Sequence, residues 1–187
     1  MTTGFPRCFP SLLVAALLAV PASAATDYFL ELEGIPGESK DRAHPALIEV
    51  ESFSIGATNS ASAGTLGGTG GSRGVSFSDI SFNKVIDKTS PLLFLRTANG
   101  MRIPKATLFV RKTITIPTTQ LLEYYTIILT DAVVTSVQTR GAGGDPLRES
   151  FSLSFGKIEF SYKPQKPDGS LDAPVKSGWD LVNNRAL

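Results

Sequence analysis

Cysteine and histidine are nearly absent from this chain of 187 residues, which contains only Cys8 and His44. A single cysteine cannot form an intramolecular disulfide, so no disulfide framework can stabilise the fold. One residue of each type also cannot assemble the usual zinc sites, which draw on several Cys and His ligands. We therefore predict that the protein binds no metal and needs no cofactor.

The chain also has no large net charge, since it contains 18 Lys and Arg and 17 Asp and Glu. Binding to nucleic acid or to an anionic membrane surface requires a clustered positive face. Small charged groups such as Asp87-Lys88 and the segment 163–166 are typical of a solvated surface. The composition therefore predicts no nucleic-acid partner.

The N-terminal apolar run is too short to cross a membrane, because a transmembrane helix needs about 20 residues and Leu12–Val20 has less than half of that. It lies between Arg7 and the small residues 22–24, which is the pattern of a secretory signal peptide. We expect cleavage between Ala24 and Ala25. The alternative is an upstream start assigned to a cytoplasmic protein.

Cleavage there would leave residues 25–187 as one domain of ordinary size, after a signal peptide of residues 1–24. The mature chain would have no thiol, because Cys8 lies within the signal peptide. It would also have no segment for insertion into a membrane. We expect the protein to be secreted by way of the periplasm. If the start is misassigned, we expect it to be cytoplasmic before secretion.

Strand patterns dominate the rest of the chain. Segments rich in β-branched and aromatic residues alternate with turn clusters, as in antiparallel sheet proteins. These segments are 27–33, 46–56, 74–87, 103–116, 123–140 and 147–164. In the second of them the alternation changes near Phe53, which indicates a bulge. The pattern predicts a mainly β antiparallel sandwich or barrel.

One helix interrupts the strands. We expect Ser90 to cap its N-terminus, Pro91 to occupy its first turn and Gly100 to follow its end. The tail after residue 166 begins with a turn and ends in a short apolar stretch, in which Trp179 is most simply a core residue.

A segment rich in Gly, Ser and Thr, Gly56–Gly74, has almost no apolar side chain to bury. Such a segment is either a mobile loop or one ordered by a partner, because core contacts cannot offset its ordering entropy. It lacks the lysine of a P-loop and the G-x-G-x-x-G spacing, so phosphate binding is not indicated.

Catalytic residues are not indicated either. His44 precedes a proline in a connector between strand patterns, with no nucleophile and orienting acid placed around it in the sequence. The carboxylate pairs Glu31/Glu33 and Glu49/Glu51 have strand spacing, which is typical of an exposed sheet face. A pair of carboxylates remains the alternative, but we predict that the protein is not an enzyme.

A longer set of motifs resembles the hemolysin-coregulated protein (Hcp) family, the tube proteins of the type VI secretion system. The motifs are "GESKD" (37–41), "IEVESFS" (48–54), "KVIDKTSPLLF" (84–94), "IPKATLFVRK" (103–112), "FSYKPQKPDG" (160–169) and "GWDLVNN" (178–184). The resemblance runs in collinear order over residues 27–185. It implies a compact antiparallel β-barrel of two sheets with one short flanking α-helix.

The resemblance also implies partners. Six copies would close into a ring, and stacked rings would form a tube that a contractile sheath expels beneath a spike protein, with small effectors in the channel. The glycine-rich segment would be the loop that contacts the next ring. Its candidate residues are Gly56, Ser60, Ala61, Gly64, Leu66, Gly68, Gly70, Arg73 and Gly74. Ser52 and Ser54 would face the channel.

The signal peptide departs from this family, whose members load from the cytoplasm without a cleaved signal. It supports an alternative in which an exported Hcp-like binding module, or an effector-like ring, acts outside the cytoplasm. The two alternatives differ in where the protein accumulates.

Overall fold

The computed structural model describes residues 26–59, 75–114 and 120–187. These residues form twelve strands and one helix, and are mainly β, as the sequence predicts. The strands are β1 (Thr26–Leu32), β2 (Ile48–Val50), β3 (Ser52–Ser54), β4 (Ala57–Asn59), β5 (Val75–Phe77), β6 (Ile80–Val85), β7 (Ile103–Ile114), β8 (Gln120–Arg140), β9 (Arg148–Ser154), β10 (Lys157–Tyr162), β11 (Val175–Asp180) and β12 (Arg185–Ala186). The helix α1 spans Ser90–Asn99.

Two large antiparallel sheets share the long strand β8. The first, called the large sheet here, has the order β12-β11-β10-β8-β7-β1-β2, and the second, the small sheet, has the order β3-β6-β9-β8. Strand β8 pairs with β10 through its first half and with β9 through its second half. Its bend between the two sheets brings their apolar faces together.

Glu51 joins the other side of the two sheets. The preceding strand β2 pairs with β1, the following strand β3 pairs with β6, and Glu51 N–H donates to Asn83 O at 2.8 Å. The change in alternation that the sequence shows near Phe53 is therefore a passage from one sheet to the other. The hydrogen-bonded strand order does not return to its first strand. The two sheets are therefore connected here by the continuous chain from β2 to β3 and not by pairing between two strands.

The core lies between the two sheets. Leu30 and Leu108 of the large sheet are buried, and Phe82 and Phe151 of the small sheet stack with their centroids 5.1 Å apart. Phe77 and Trp179 are partly buried and pack against this core. Successive residues of a strand point to opposite faces of the sheet, so alternate apolar side chains face the interior.

Helix α1 has the predicted end but a different beginning. Gly100 follows it in the left-handed conformation, with φ of 64°, and donates its N–H to Arg96 O. The N-cap position is Thr89, without a side-chain cap, so the prediction of Ser90 as the cap is wrong. The Ser90 hydroxyl is used elsewhere, since it donates to Glu149 at 3.1 Å and accepts from Lys84 at 3.0 Å.

Lys84 is buried beneath the start of this helix. Its ammonium lies 2.7 Å from Asp87 and 3.3 Å from Glu149. Burial alone would raise the pKa of Asp87, but hydrogen bonds from Lys84 and Thr89 hold that pKa below its ordinary value. Asp87 is therefore not part of a solvated charge group, because it helps to neutralise a buried lysine and so fixes α1 to β6 and β9.

The loop between β1 and β2 is fixed by a second ion group. Arg111 donates two hydrogen bonds to Asp41, at 2.9 and 2.7 Å, and one to Asp27 at 3.0 Å. The bonds from Arg111 hold the pKa of Asp41 well below its usual range. His44, in the same loop, stacks between Phe29 and Phe109 with centroids 4.7 and 4.9 Å away.

The C-terminal tail contains two strands that the sequence did not predict, β11 and β12. Strand β11 pairs with β10, and Asp180 at its end is buried. Hydrogen bonds from the side chain and backbone of Asn183 lower the pKa of Asp180 to about 2. This capped turn brings Arg185 and Ala186 back against β11. These strands form by pairing with the preceding strand in each case, β10 for β11 and β11 for β12, and their own residue pattern does not indicate them.

Candidate functional site

Ser52 and Ser54 lie on the outer face of the small sheet. Both are exposed, whereas Phe53 between them packs toward the core. The structure thus resolves which way these two serines point: away from the interior of the barrel.

Six further polar side chains extend this outer face across the sheet. Paired residues of antiparallel strands share a face, so the register produces two rows. The first row is Ser54, Ser81, Ser152 and Ser136, and the second is Ser52, Asn83, Ser150 and Gln138. We call these eight residues the polar face. It contains small uncharged side chains only, apart from the amides of Asn83 and Gln138.

Hydrogen bonds hold the rows together. Asn83 Nδ2 donates to Ser52 Oγ at 2.9 Å, and Ser81 Oγ lies 2.9 Å from Ser152 Oγ. The next row on the same outer face is Val85, Arg148 and Arg140, so charge borders the polar face at that end. Within the eight residues, hydroxyls and amides that bond to one another offer a passing polypeptide no strong anchor. The polar face is therefore suited to lining a passage.

The polar face continues beyond the two residues that the sequence singled out. The sequence contained a signal for the other members, since serine recurs at alternate positions in "SFSLS" of β9, and Ser81 and Asn83 alternate with apolar residues in β6. The alternation of polar and apolar residues predicts which face of each strand these residues occupy. It does not predict which residues of different strands lie side by side, because that register is set by packing.

The glycine-rich segment leaves the barrel beside the polar face. Gly56 donates its N–H to Ser78 Oγ at 2.8 Å, and Ser78 donates its N–H to Gly56 O at 2.9 Å. Above this contact β4 pairs with β5 in a two-stranded hairpin. The expectation of a loop from residue 56 onward is therefore wrong for Ala57–Asn59, which form a strand because Val75–Phe77 pair with them.

The remaining candidate loop residues lie outside the described part of the chain. These are Ser60, Ala61, Gly64, Leu66, Gly68, Gly70, Arg73 and Gly74. Ala24 and Ala25, at the expected cleavage site, also lie outside it. In the described ranges, no helix combines the length and apolar character needed to cross a membrane.

Of the other residues weighed for chemistry, Glu51 borders the polar face, since it lines a cavity with Asn83 and Ser150. Glu31, Glu33, Glu49 and Glu51 are exposed on the large sheet or at its end, as strand spacing predicts. His44 is buried, and its Nε2 lies 3.5 Å from Glu123. Among residues 26–59, 75–114 and 120–187, no group of three or more His, Cys, Asp or Glu is arranged to hold a metal ion.

Known proteins are similar to this chain in sequence and fold. A family model described as "Type VI secretion system effector, Hcp" matches residues 29–162. Protein hcp1 of Pseudomonas aeruginosa is 40% identical over 162 residues, which cover 86% of this chain and 98% of that protein.

Solved structures agree with this match. The crystal structure of Hcp1 from Salmonella typhimurium has 32% identity and a TM-score of 0.70, and the alignment covers 87% of this chain and 99% of that one. A structure described as a type six secretion system protein has 26% identity and a TM-score of 0.75, with coverage of 87% and 100%.

Proposed function

Because this chain belongs to the Hcp family of the type VI secretion system, we propose that it is a structural tube protein. Copies of it close into hexameric rings, and the rings stack into a tube that is exported. By family resemblance, its partners are a spike protein, a contractile sheath and small effectors. The match over nearly the whole length of the relative supports this role.

The polar face is the observation that carries the role of a conduit. We assign it to the channel wall, extending the candidates Ser52 and Ser54 to the paired residues of β6, β9 and β8. A wall of hydroxyls that bond to one another keeps water at the surface and contacts diverse cargo without strong binding.

The hairpin beside the polar face supports a stacking role for the glycine-rich loop. Its base is anchored by the contacts of Gly56 with Ser78, so the tip starts from a fixed position on the ring. Contact with the next ring would offset the entropy of ordering such a segment.

A structural role without catalysis is consistent with the family. We also propose that residues 1–24 are a removable signal and that 25–187 are the functional domain. The pattern of Arg7, Leu12–Val20 and the small residues before Ala25 favours the second candidate function, an exported ring or binding module.

Release into the medium tests the proposed role. The tagged chain is expressed in its native cell with and without the contractile sheath, and the medium and the periplasm are assayed separately. A tube protein appears in the medium only when the sheath is present. Sheath-independent accumulation of a chain that begins at Ala25 would instead support the exported module.

A further inference from the structure

We propose that each copy docks the edge of β11 against the β2 edge of the next copy, with Lys176 placed against Glu49. This inference rests on the proposed ring and identifies the surfaces that would close it. It follows from the position of unpaired charges and uncovered apolar side chains at the two opposite ends of the large sheet.

The β2 end of the sheet is acidic. Among the described strands, β2 forms a ladder with β1 alone. Two cavities of about 510 and 430 Å³ share Glu49, Val50 and Glu51 at this end. The acidic residues of these two cavities outnumber the basic ones. The acidic residues are Asp27, Glu38, Asp41, Glu49, Glu51 and Asp87, and the basic ones are Lys40 and Arg111.

Most of these carboxylates are already occupied within the copy. Asp27 and Asp41 bind Arg111, and Glu51 binds Arg148. Glu49 is exposed and takes part in no ion pair or hydrogen bond of its side chain among the described residues. It is therefore the carboxylate of this edge that is available to an incoming cation.

The β11 end carries positively charged side chains. Lys176 is exposed and its ammonium has no partner in the described ranges. Lys163 and Arg185 belong to the neighbouring segments and form no ion pairs there, whereas Lys157 is paired with Asp180 and Lys166 with Asp172. Glu159 of β10 lines the same cavity as Lys176, but no ion pair joins the two side chains.

Apolar surface accompanies the charge at both ends. Val175 is 64% exposed and Tyr162, its ladder partner, is 45% exposed. Beside the acidic end, Val85 at the end of β6 in the small sheet is 42% exposed and lines the cavity of 510 Å³ together with Ile86. Apolar groups flanked by opposite charges on two separate patches are complementary to each other and not to themselves.

The backbone edge of β11 is open over part of its length. Strand β12 and Leu187 pair with Gly178, Trp179 and Asp180, so among the described residues Val175–Ser177 have no strand beside them on that edge. Such an edge favours contact with another chain. The backbone at the β2 end is largely covered, because Ser39 N–H donates to Leu47 O and Glu51 N–H donates to Asn83 O, so this end contributes side chains to the contact. Because the two patches are different surfaces of one copy, their contact is head-to-tail, and such contacts generate rings when the rotation closes.

Paired charge reversals test the contact. Glu49→Lys and Lys176→Glu are prepared singly, as a double variant and as a mixture of the two single variants, and their masses are followed by native mass spectrometry against dilution. Each single variant places like charges together, so the concentration for half-assembly should rise about tenfold or more. The double variant should restore assembly.

The mixture gives the most specific result. The Glu49→Lys variant presents its native Lys176 to the native Glu49 of its neighbour, while the Lys176→Glu variant presents its new carboxylate to the new lysine of the other. The two variants should therefore alternate in an even-numbered ring that neither forms alone. Glu33→Lys and Lys105→Glu are matched controls, because both residues are exposed and lie away from the two edges.

The outcomes separate this inference from the proposed function. Rings of the unmodified chain that persist in both single variants would overturn the Lys176–Glu49 contact and leave the ring intact. Assembly lost in both single variants and not regained on mixing would also contradict it. A monomeric unmodified chain would overturn the ring itself, and the contact with it.

Discussion

Lys84 and Glu149 lie opposite each other in the register of β6 and β9, both fully or nearly fully buried, with Nζ and Oε1 3.3 Å apart. They face the core side of the same strands whose other side carries the polar face. The ion group that they form with Asp87 and Ser90 fixes helix α1 to the small sheet. A charged cluster is thus part of the barrel interior.

Removing the lysine should be costly. We predict that Lys84→Met lowers the free energy of unfolding by about 3–5 kcal/mol, because it leaves buried carboxylates without their cation. Urea unfolding measures this loss. Lys88→Met is the matched control, since Lys88 is exposed, and it should change stability by less than about 0.5 kcal/mol. An equal effect of both variants would show that the network contributes nothing specific.

Acid should release the loop that Arg111 holds. The pKa of Asp41 is lowered from its ordinary 3.8 by the hydrogen bonds from Arg111. A lowered folded-state pKa makes stability rise with pH, so the contribution is complete above about pH 4 and is lost as the pH falls toward the folded-state pKa. We predict that Asp41→Asn flattens the decline of the urea midpoint below pH 4.

The control for this pH dependence is Glu33→Gln, an exposed carboxylate in the adjoining turn. It should leave the acid decline as steep as in the unmodified chain. A decline that Asp41→Asn does not alter would mean that other carboxylates produce the acid sensitivity.

Phe82 and Phe77 should differ in their sensitivity to substitution. Phe82 is fully buried and stacked on Phe151, whereas Phe77 is partly buried with an edge contact to Phe155 at 6.2 Å. We predict a loss of about 3–5 kcal/mol for Phe82→Ala and a smaller loss for Phe77→Ala. Aspartate at residue 82 should be worse than alanine, because a charge is then buried. Thermal and urea unfolding give the order.

Shortening the glycine-rich loop should separate stacking from folding. Deletion of residues 60–71 leaves 72–74 to connect Asn59 with Val75, which are partners in the hairpin, and three residues suffice for such a connection. We predict an unchanged free energy of unfolding and an unchanged number of copies per ring, but fewer stacked rings in sedimentation velocity. Loss of the folded monomer would show that the deleted residues belong to the core.

The polar face should tolerate substitution without loss of the fold. Ser54→Tyr places a bulky group on an exposed position, so its effect on stability should stay within about 0.5 kcal/mol. It should reduce the amount of small effector that co-purifies with the rings. Ala98→Tyr, on the exposed side of α1, is the control and should retain the effector. If both variants retain the effector equally, residue 54 does not line the channel.

Local pattern was enough to predict most strands, the single helix and the end of that helix at Gly100. It failed where contacts outside the segment itself decide the outcome. The hydroxyl of Ser90 serves Lys84 and Glu149 and does not cap α1, and β11 and β12 form because β10 and the turn at Asp180 hold them. Ser52 and Ser54 were found as candidates, but the rest of the polar face required the register.

The native mass of residues 25–187 is the most direct test of whether this chain forms the rings of a tube. Native mass spectrometry of residues 25–187 over a range of concentrations, followed by electron microscopy of the same sample, should give six copies per ring with an open centre. A single copy at every concentration would contradict a tube protein.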